Sequence, residues 1–249
     1  RLYRRVEALA QGPFESGGSL RVPRPLLVVK DLGLVLLDHF PGADLREILN
    51  NGGASEALAL AGRWLARLHE AVPLAGLRIA SPDHELGKVQ RWRDQIGSAL
   101  TRADAGRLDL ALKSMCDLAS WLRYEPVMIH KDFYFGNVLW DGKRVCILDF
   151  DELAVGDPAL DLGHFLAHLE VLAYRIGSRV DGLSAAASTF STAYAATDVT
   201  LAPRVTLYRA YTFLKLAATE VARKQDGWDR MARTLAGLAC QEIEQVVCE

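Results

Sequence analysis

His130-Lys131-Asp132-Phe133-Tyr134-Phe135-Gly136-Asn137, followed by Ile147-Leu148-Asp149-Phe150-Asp151, is the stretch on which the fold reading turns. An aspartate stands five residues before an asparagine, and twelve residues after that asparagine an apolar run ends in a second aspartate. Between them, Asn137 to Trp140 and Val145 to Leu148 are short apolar runs joined by Asp141-Gly142-Lys143-Arg144, a hairpin-turn composition. Val127-Met128-Ile129 is a third such run, just ahead of the first aspartate.

The order HxDxxxxN, hairpin, hydrophobic-hydrophobic-Asp-Phe matches an arrangement used in phosphoryl transfer. Moving a γ-phosphoryl group asks little covalent help of a protein but requires negative charge to be neutralised and the attacking oxygen to be aimed. Mg²⁺ is a hard cation that takes oxygen ligands. Asn137 offers an oxygen without charge and Asp149 offers the charge, so these two are the candidate magnesium ligands; Asp132 is the candidate acceptor of a hydrogen bond from a substrate hydroxyl. Taken singly, a short polar turn after a strand or an acid at a strand end is weak evidence. Spacing, hairpin and apolar strand coinciding make the pattern specific.

Working outward, Arg1 to Ala10 reads as a helix already under way, with Leu2, Val6 and Leu9 at helical spacing, so a preceding segment is expected. Gln11 to Pro25 is a Gly, Pro and Ser-rich loop, and Leu26–Lys30 and Leu34–Asp38 flank Asp31-Leu32-Gly33 as an antiparallel hairpin. Glu56 to Val72 carries apolar residues at 58, 61, 65, 68 and 72, one buried helical face. Helical patterns recur near 85–101 and 104–124, from Asp157-Pro158 to about Arg175, and near 184–196, 205–223 and 227–247. Trp64, Trp92, Trp121 and Trp140 read as core aromatics.

Composition narrows the function classes. Twenty-nine Lys and Arg against 31 Asp and Glu give a formal charge of −2, without the basic surplus of a nucleic-acid binder. No apolar run reaches the ~18 residues of a membrane span, so neither nucleic acid nor membrane is an expected partner. Cysteines 116, 146, 240 and 248 have no CxxC spacing and read as reduced thiols of a cytoplasmic protein. His164 and His168, four apart on a helix, lack the HExxH context of a zinc site, and Gly17-Gly18 is loop material without a dinucleotide fingerprint. No His is followed directly by Asp, which removes a His-Asp metal phosphohydrolase. Nothing in the sequence sets the oligomeric state.

Over essentially its whole length the chain resembles the aminoglycoside phosphotransferase family, small-molecule kinases of the protein-kinase fold. The resemblance is carried by Leu65-Ala66-Arg67-Leu68-His69 (LAxLH), Val127 to Trp140, Ile147 to Leu162 with its GDPxxDL turn, and Leu34 to Gly42 as an interlobe linker. It implies an α+β, protein-kinase-like two-lobe fold. Residues 1–40 would be the remnant of an incomplete nucleotide-binding lobe (helix plus β-hairpin) with the hinge, and 41–249 a large, mainly helical lobe with the catalytic β-hairpin. It further implies ATP and Mg²⁺ as cofactors and a small hydroxylated molecule (aminoglycoside, sugar or amino alcohol) as substrate. Asp132 would be catalytic, Asn137 and Asp149 would bind metal, and backbone groups of Asp38, His39 and Phe40 would bind adenine. Glu7 would match the helix glutamate that pairs with a phosphate-binding lysine, and Asp161 would hold the catalytic loop. His69 and His130 are expected to pack inside, and Asp151 to cap a turn. Lys131 stands where the family often has Gly and is expected to be solvated or structural. The Gly-rich phosphate loop and strand lysine should precede the opening helix; without them, little activity is expected of this chain. The alternative reading is a catalytically silent, pseudokinase-like nucleotide-binding or scaffold protein; DFD in place of DFG and the absence of APE favour a small-molecule kinase over a protein kinase.

Overall fold

A computed structural model describes the chain except for residues 15–17, 51–53, 177–180, 196–200 and 248–249. Gly17, Cys248 and position 196 of one expected helix thus lie outside the described residues. The opening helix is α1 (Leu2–Gln11), burying Val6 and Leu9 as the spacing predicts. The first hairpin pairs β2 (Pro25–Val29) with β3 (Leu34–Leu37), following a short β1 (Leu20–Arg21). Its turn is a 3₁₀ segment, Lys30–Leu32, closed by Gly33 at φ 63°, a left-handed conformation that costs glycine little. Leu26, Leu27, Leu34 and Leu36 on this hairpin are exposed.

The remaining β-structure is β4 (Ala43–Asp44), β5 (Arg78–Ala80), β6 (Val127–Ile129), β7 (Val138–Trp140), β8 (Val145–Ile147) and β9 (Ala154–Gly156). The β7–β8 hairpin, with Val138 opposite Ile147, is the centre of a four-stranded sheet in the order β1-β8-β7-β4. Strand β6 pairs antiparallel with β9, and β9 pairs parallel with β5. The helices are α2 (Leu45–Asn50), α3 (Ser55–Glu70), α4 (Pro82–Leu86), α5 (Val89–Ile96), α6 (Arg102–Trp121), α7 (Ala159–Arg175), α8 (Asp181–Tyr194), α9 (Leu201–Arg223) and α10 (Trp228–Val247). Helix α9 packs against α7, α10 and α5, and α3 packs against α8. Close approach is enforced by glycine: a Cβ on Gly163 would meet Tyr208 Cβ at 2.8 Å between α7 and α9. One on Gly62 would meet the Phe190 carbonyl oxygen at 2.5 Å between α3 and α8.

Three expectations need correction. Val72 is 86% exposed rather than part of the buried face of α3; the helix stops at Glu70 because Val72 precedes Pro73, which disfavours helical backbone there. Trp121 is 80% exposed, standing at the last residue of α6 where the packed surface has ended. The single pattern near 85–101 is two helices with a break at Gly87-Lys88 and a 3₁₀ turn at Gly97–Ala99.

A column of aromatic rings runs through the core beneath the decisive loop. Phe14 stacks on Trp64 with centroids 4.4 Å apart, Trp64 on Phe133 at 5.8 Å, and Phe133 on Phe190 at 6.1 Å. Trp64 is fully buried, and its Nε1 donates to the Arg21 carbonyl at 2.9 Å, so the indole N–H has the partner that a buried Trp requires. The loop ahead of β1, the LAxLH helix and the HxD loop are thereby one packed unit.

Candidate active site

The loop after β6 is held from below by one buried carboxylate. Asp161, in the first turn of α7, accepts from the His130 amide (2.7 Å) on Oδ2 and from the Lys131 amide (2.6 Å) on Oδ1. His69 Nε2 lies 3.1 Å from the same Oδ2. Burial alone would raise this carboxyl; the His69 hydrogen bond and charge, with the backbone donors, turn the shift downward, so Asp161 stays ionised. The expected loop-holding role of Asp161 and the interior placement of His69 and His130 are therefore visible as contacts.

Lys131 is left-handed, φ 74°, and so is Asp149, φ 63°. That conformation is strained for a residue with a Cβ, which explains in physical terms why glycine suits position 131. Lys131 is not solvated: its Nζ is buried 2.8 Å from Glu85 Oε1 and 3.4 Å from Glu152 Oε2. Glu85 also accepts from Lys88 Nζ (2.6 Å) and the Tyr211 hydroxyl (2.6 Å). Burial pushes the Glu85 carboxyl up, but the Lys131, Lys88 and Tyr211 hydrogen bonds outweigh it and bring it down to about 2. Lys131 thus ties the loop to α4.

Asp132, Asn137 and Asp149 are knitted together through backbone. Asn137 Nδ2 donates to the Asp132 carbonyl at 2.9 Å, and the Leu148 amide donates to the Asn137 carbonyl at 2.9 Å. His130 Nε2 sits 2.9 Å from the Leu148 carbonyl and its Nδ1 faces the Asp132 amide at 3.4 Å. The charges of Asp132 and Asp149 both act on the His130 ring and on the Tyr134 phenol, so the two carboxylates share one neighbourhood. Asn137 is buried with its amide nitrogen committed, leaving Oδ1 as the oxygen it can offer a cation, while Asp149 is exposed and, among the described residues, its Oδ1 meets only the Asp151 amide, at 3.4 Å. An uncharged oxygen beside a solvent-facing carboxylate is a donor set that fits a hard divalent cation. Asp151 is exposed, its carbonyl taken at 2.9 Å by Arg5 of α1.

Two partners of Asp132 are not legible in the sequence. Lys215 Nζ of α9 lies 3.0 Å from Asp132 Oδ1, and His164 Nε2 of α7 lies 3.3 Å from the same oxygen. Burial would raise the Asp132 carboxyl, but the His164 contact and the Lys215 charge hold it well below the usual carboxylate range. His168 packs its ring on Tyr134 at 4.6 Å and on His164 at 4.5 Å; burial, then the His164 and Lys215 charges, keep it neutral. Both histidines thus belong to the wall around Asp132. The helical period alone places Lys215 on α9, but only the α7–α9 packing turns it toward position 132.

The linker residues lie along the edge of the same hairpin. The Asp38 amide donates to the Arg24 carbonyl (2.8 Å), and its carboxylate takes the Arg24 amide (2.5 Å) and Nε (2.9 Å). Phe40 lies 5.4 Å under the Arg144 guanidinium, and its carbonyl accepts from Gly42 at 2.9 Å. Burial, then the Asp38 charge, pushes the Cys146 thiol of β8 up to about 12, so β8 runs beside this linker. His39 is exposed, between the half-buried Asp38 and Phe40 of the linker. Glu7 is half-buried on α1 and forms no ion pair among the described residues; its charge acts on Tyr3, whose phenol it raises. The structure therefore gathers 132, 137 and 149, lays 38–40 along the hairpin, and leaves Glu7 apart from both groups.

The sequence profile of a family described as "Phosphotransferase enzyme family" matches residues 3–198. Viomycin phosphotransferase of Streptomyces vinaceus is 28% identical over 162 residues, 60% of this chain and 53% of that protein, so the chain spans about half the length of this curated relative. Among solved structures, a choline/ethanolamine kinase family protein from Mesorhizobium loti superposes with TM-score 0.68 at 15% identity, covering 98% of this chain and 84% of the other. The GDP complex of aminoglycoside 2'-phosphotransferase-IIIa gives TM-score 0.68 at 16% identity, covering 96% and 81%. A glucosamine kinase gives 0.62 at 21%, covering 93% and 68%. The α+β architecture is accordingly that of the protein-kinase-like fold. With its profile match over most of the sequence, the chain belongs to the phosphotransferase enzyme family, that of the aminoglycoside phosphotransferases.

Proposed function

We propose that the protein is a small-molecule kinase that moves the γ-phosphoryl group of Mg·ATP to a hydroxyl. The observation that carries this reading is the knot of hydrogen bonds that joins Asp132, Asn137 and the Leu148-Asp149 strand end around His130. In the transfer, the substrate oxygen forms a bond to the γ-phosphorus while the bond from that phosphorus to the β,γ-bridging oxygen breaks, and ADP departs. The hydroxyl hydrogen bonds to Asp132, and its proton passes late in the transfer to the Asp132 carboxylate, and from there to solvent, as the new ester forms. Because Lys215 and His164 hold Asp132 ionised and weakly basic, its contribution is to aim the hydroxyl more than to remove its proton early, which suits a loose transition state. Magnesium, held by Asn137 Oδ1 and the Asp149 carboxylate, would neutralise the charge on the phosphates.

The linker supports an adenine position. Among the backbone groups of 38–40 the Asp38 amide and Phe40 carbonyl are engaged, so a base edge would be met by the Asp38 carbonyl, the Phe40 amide and the amide and carbonyl of His39. The Asp38 charge acts on Cys146 of β8, and Asp149 follows Cys146 by three residues, just past the end of that strand, which supports a nucleotide laid along the hairpin. Residues 1–40 would serve the nucleotide side and 41–249 the acceptor side. The test is ADP release by the full-length protein against a panel of hydroxylated metabolites and amino sugars, with Asp132→Ala as control. Acceptor-dependent release that the variant loses supports a kinase; equal release, or none with any acceptor, leaves the silent nucleotide-binding reading.

A further inference from the structure

Asp132 lines a cavity of about 530 Å³ walled by α2, α7 and α9, a volume suited to a small molecule. Four basic side chains line it, Arg46, Arg175, Lys215 and Arg223, against two acids, Asp132 and Glu220. Both acids are already matched: Lys215 is 3.0 Å from Asp132, and the half-exposed Arg175 is ion-paired with the buried Glu220. Arg46 and Arg223 have no carboxylate partner among the described residues. Arg46 instead lies 5.4 Å over the Phe135 ring, which fixes its guanidinium at the cavity wall, and its charge reaches Tyr134. Arg175 and Arg223 end α7 and α9, so two helix termini deliver cations to one opening.

A polycationic acceptor would bring like charge against this wall. Two unmatched guanidinium groups in a concave site instead match an oxyanion, to which arginine donates paired hydrogen bonds. We propose that the acceptor carries an anionic group, a carboxylate or a phosphate, in addition to the hydroxyl that is phosphorylated, and that Arg46 and Arg223 bind that group. This rests on the kinase reading for the presence of the hydroxyl. The competing role for Arg223, complementing the carbonyl end of α9, predicts no effect on acceptor affinity.

The test has two arms on the full-length protein. The first is ADP release with hydroxy acids, sugar phosphates, neutral polyols and polyamino sugars. The highest kcat/KM is expected in one of the two anionic sets, and which one tells carboxylate from phosphate. In the double variant Arg46→Gln/Arg223→Gln, acceptor KM should rise at least tenfold, with ATP KM within twofold of wild type. The second arm is calorimetric binding of glycerate, glycerol 3-phosphate, glycerol and spermidine. An anionic probe should bind, spermidine should not, and the double variant should lose at least tenfold in affinity for that anion. A polyamino sugar as best acceptor, or anion binding indifferent to both arginines, overturns the proposal. Arginine-dependent anion binding without ADP release from any acceptor would sink the kinase reading while leaving the anion site standing.

Discussion

Asp132 has one oxygen shared between an ammonium and an imidazole, and that arrangement fixes what it can do. A carboxylate so stabilised is a poor base and a good hydrogen-bond acceptor, ionised at every physiological pH. Asp132→Ala should lower kcat by about 10³ or more, with the thermal midpoint held within a few degrees, measured by ADP release and calorimetry; activity within tenfold of wild type would remove the role. Asp161 is the opposite kind of acid, wholly buried and committed to the loop. Asp161→Ala strands two backbone amides and His69, and should cost about 3 kcal/mol in urea unfolding. At this scale the sequence is legible wherever a local motif carries the chemistry: 132, 137 and 149 follow from spacing, while the loop-holding place of 161 comes with the family resemblance. Lys215, His164 and Glu85 are not, because each reaches the site across helix packing that no spacing encodes, and the burial of Lys131 depends on Glu85, which only the fold brings beside it.

Among elements, α4 is a short helix whose one buried carboxylate locks the loop after β6. Glu85 titrates near 4.5 when unfolded and about 2 when folded. A depressed folded value means its contribution is fully present above pH 4.5 and lost as pH falls toward 2; the shift corresponds to about 3 kcal/mol. Glu85→Gln should therefore be less stable than wild type at pH 7 and show a shallower loss of stability between pH 4.5 and 2, followed by chemical denaturation at each pH; parallel curves would contradict this. The long helices and the two hairpins were readable from apolar period and turn composition. Strands β1, β4, β5 and β9 were not, since two or three residues cannot display an alternation and each exists only through its partner: Leu20 opposite Val145, Ala43 opposite Trp140, Arg78 opposite Ala154.

For the whole molecule, the aromatic column from Phe14 through Trp64 to Phe133 and Phe190 joins the N-terminal segment to the helical body, while the β2–β3 hairpin stands outside it with exposed leucines. A sequence boundary drawn at residue 40 follows the linker; the packing of Val6, Leu9, Phe14 and Val22 into the main core crosses it. No helix among the described residues is long and apolar enough to cross a membrane, and the described cysteines are free. The mainly helical character with a central hairpin was legible because the local motif and the helical periods pointed the same way, and the kinase-like fold came with the family resemblance; the charge of the cavity beside Asp132 was not, because a net charge near zero conceals how basic side chains gather at two helix ends. On the proposed function, Asn137 and Asp149 bind one divalent ion beside Asp132. The most direct measurement of this binding is a Mn²⁺ titration of the full-length protein with ATP, followed by electron paramagnetic resonance. One ATP-dependent Mn²⁺ site is predicted, weakened at least tenfold in Asp149→Asn and in Asn137→Ala and retained in Asp132→Ala; Mn²⁺ binding unchanged in the first two variants would contradict it.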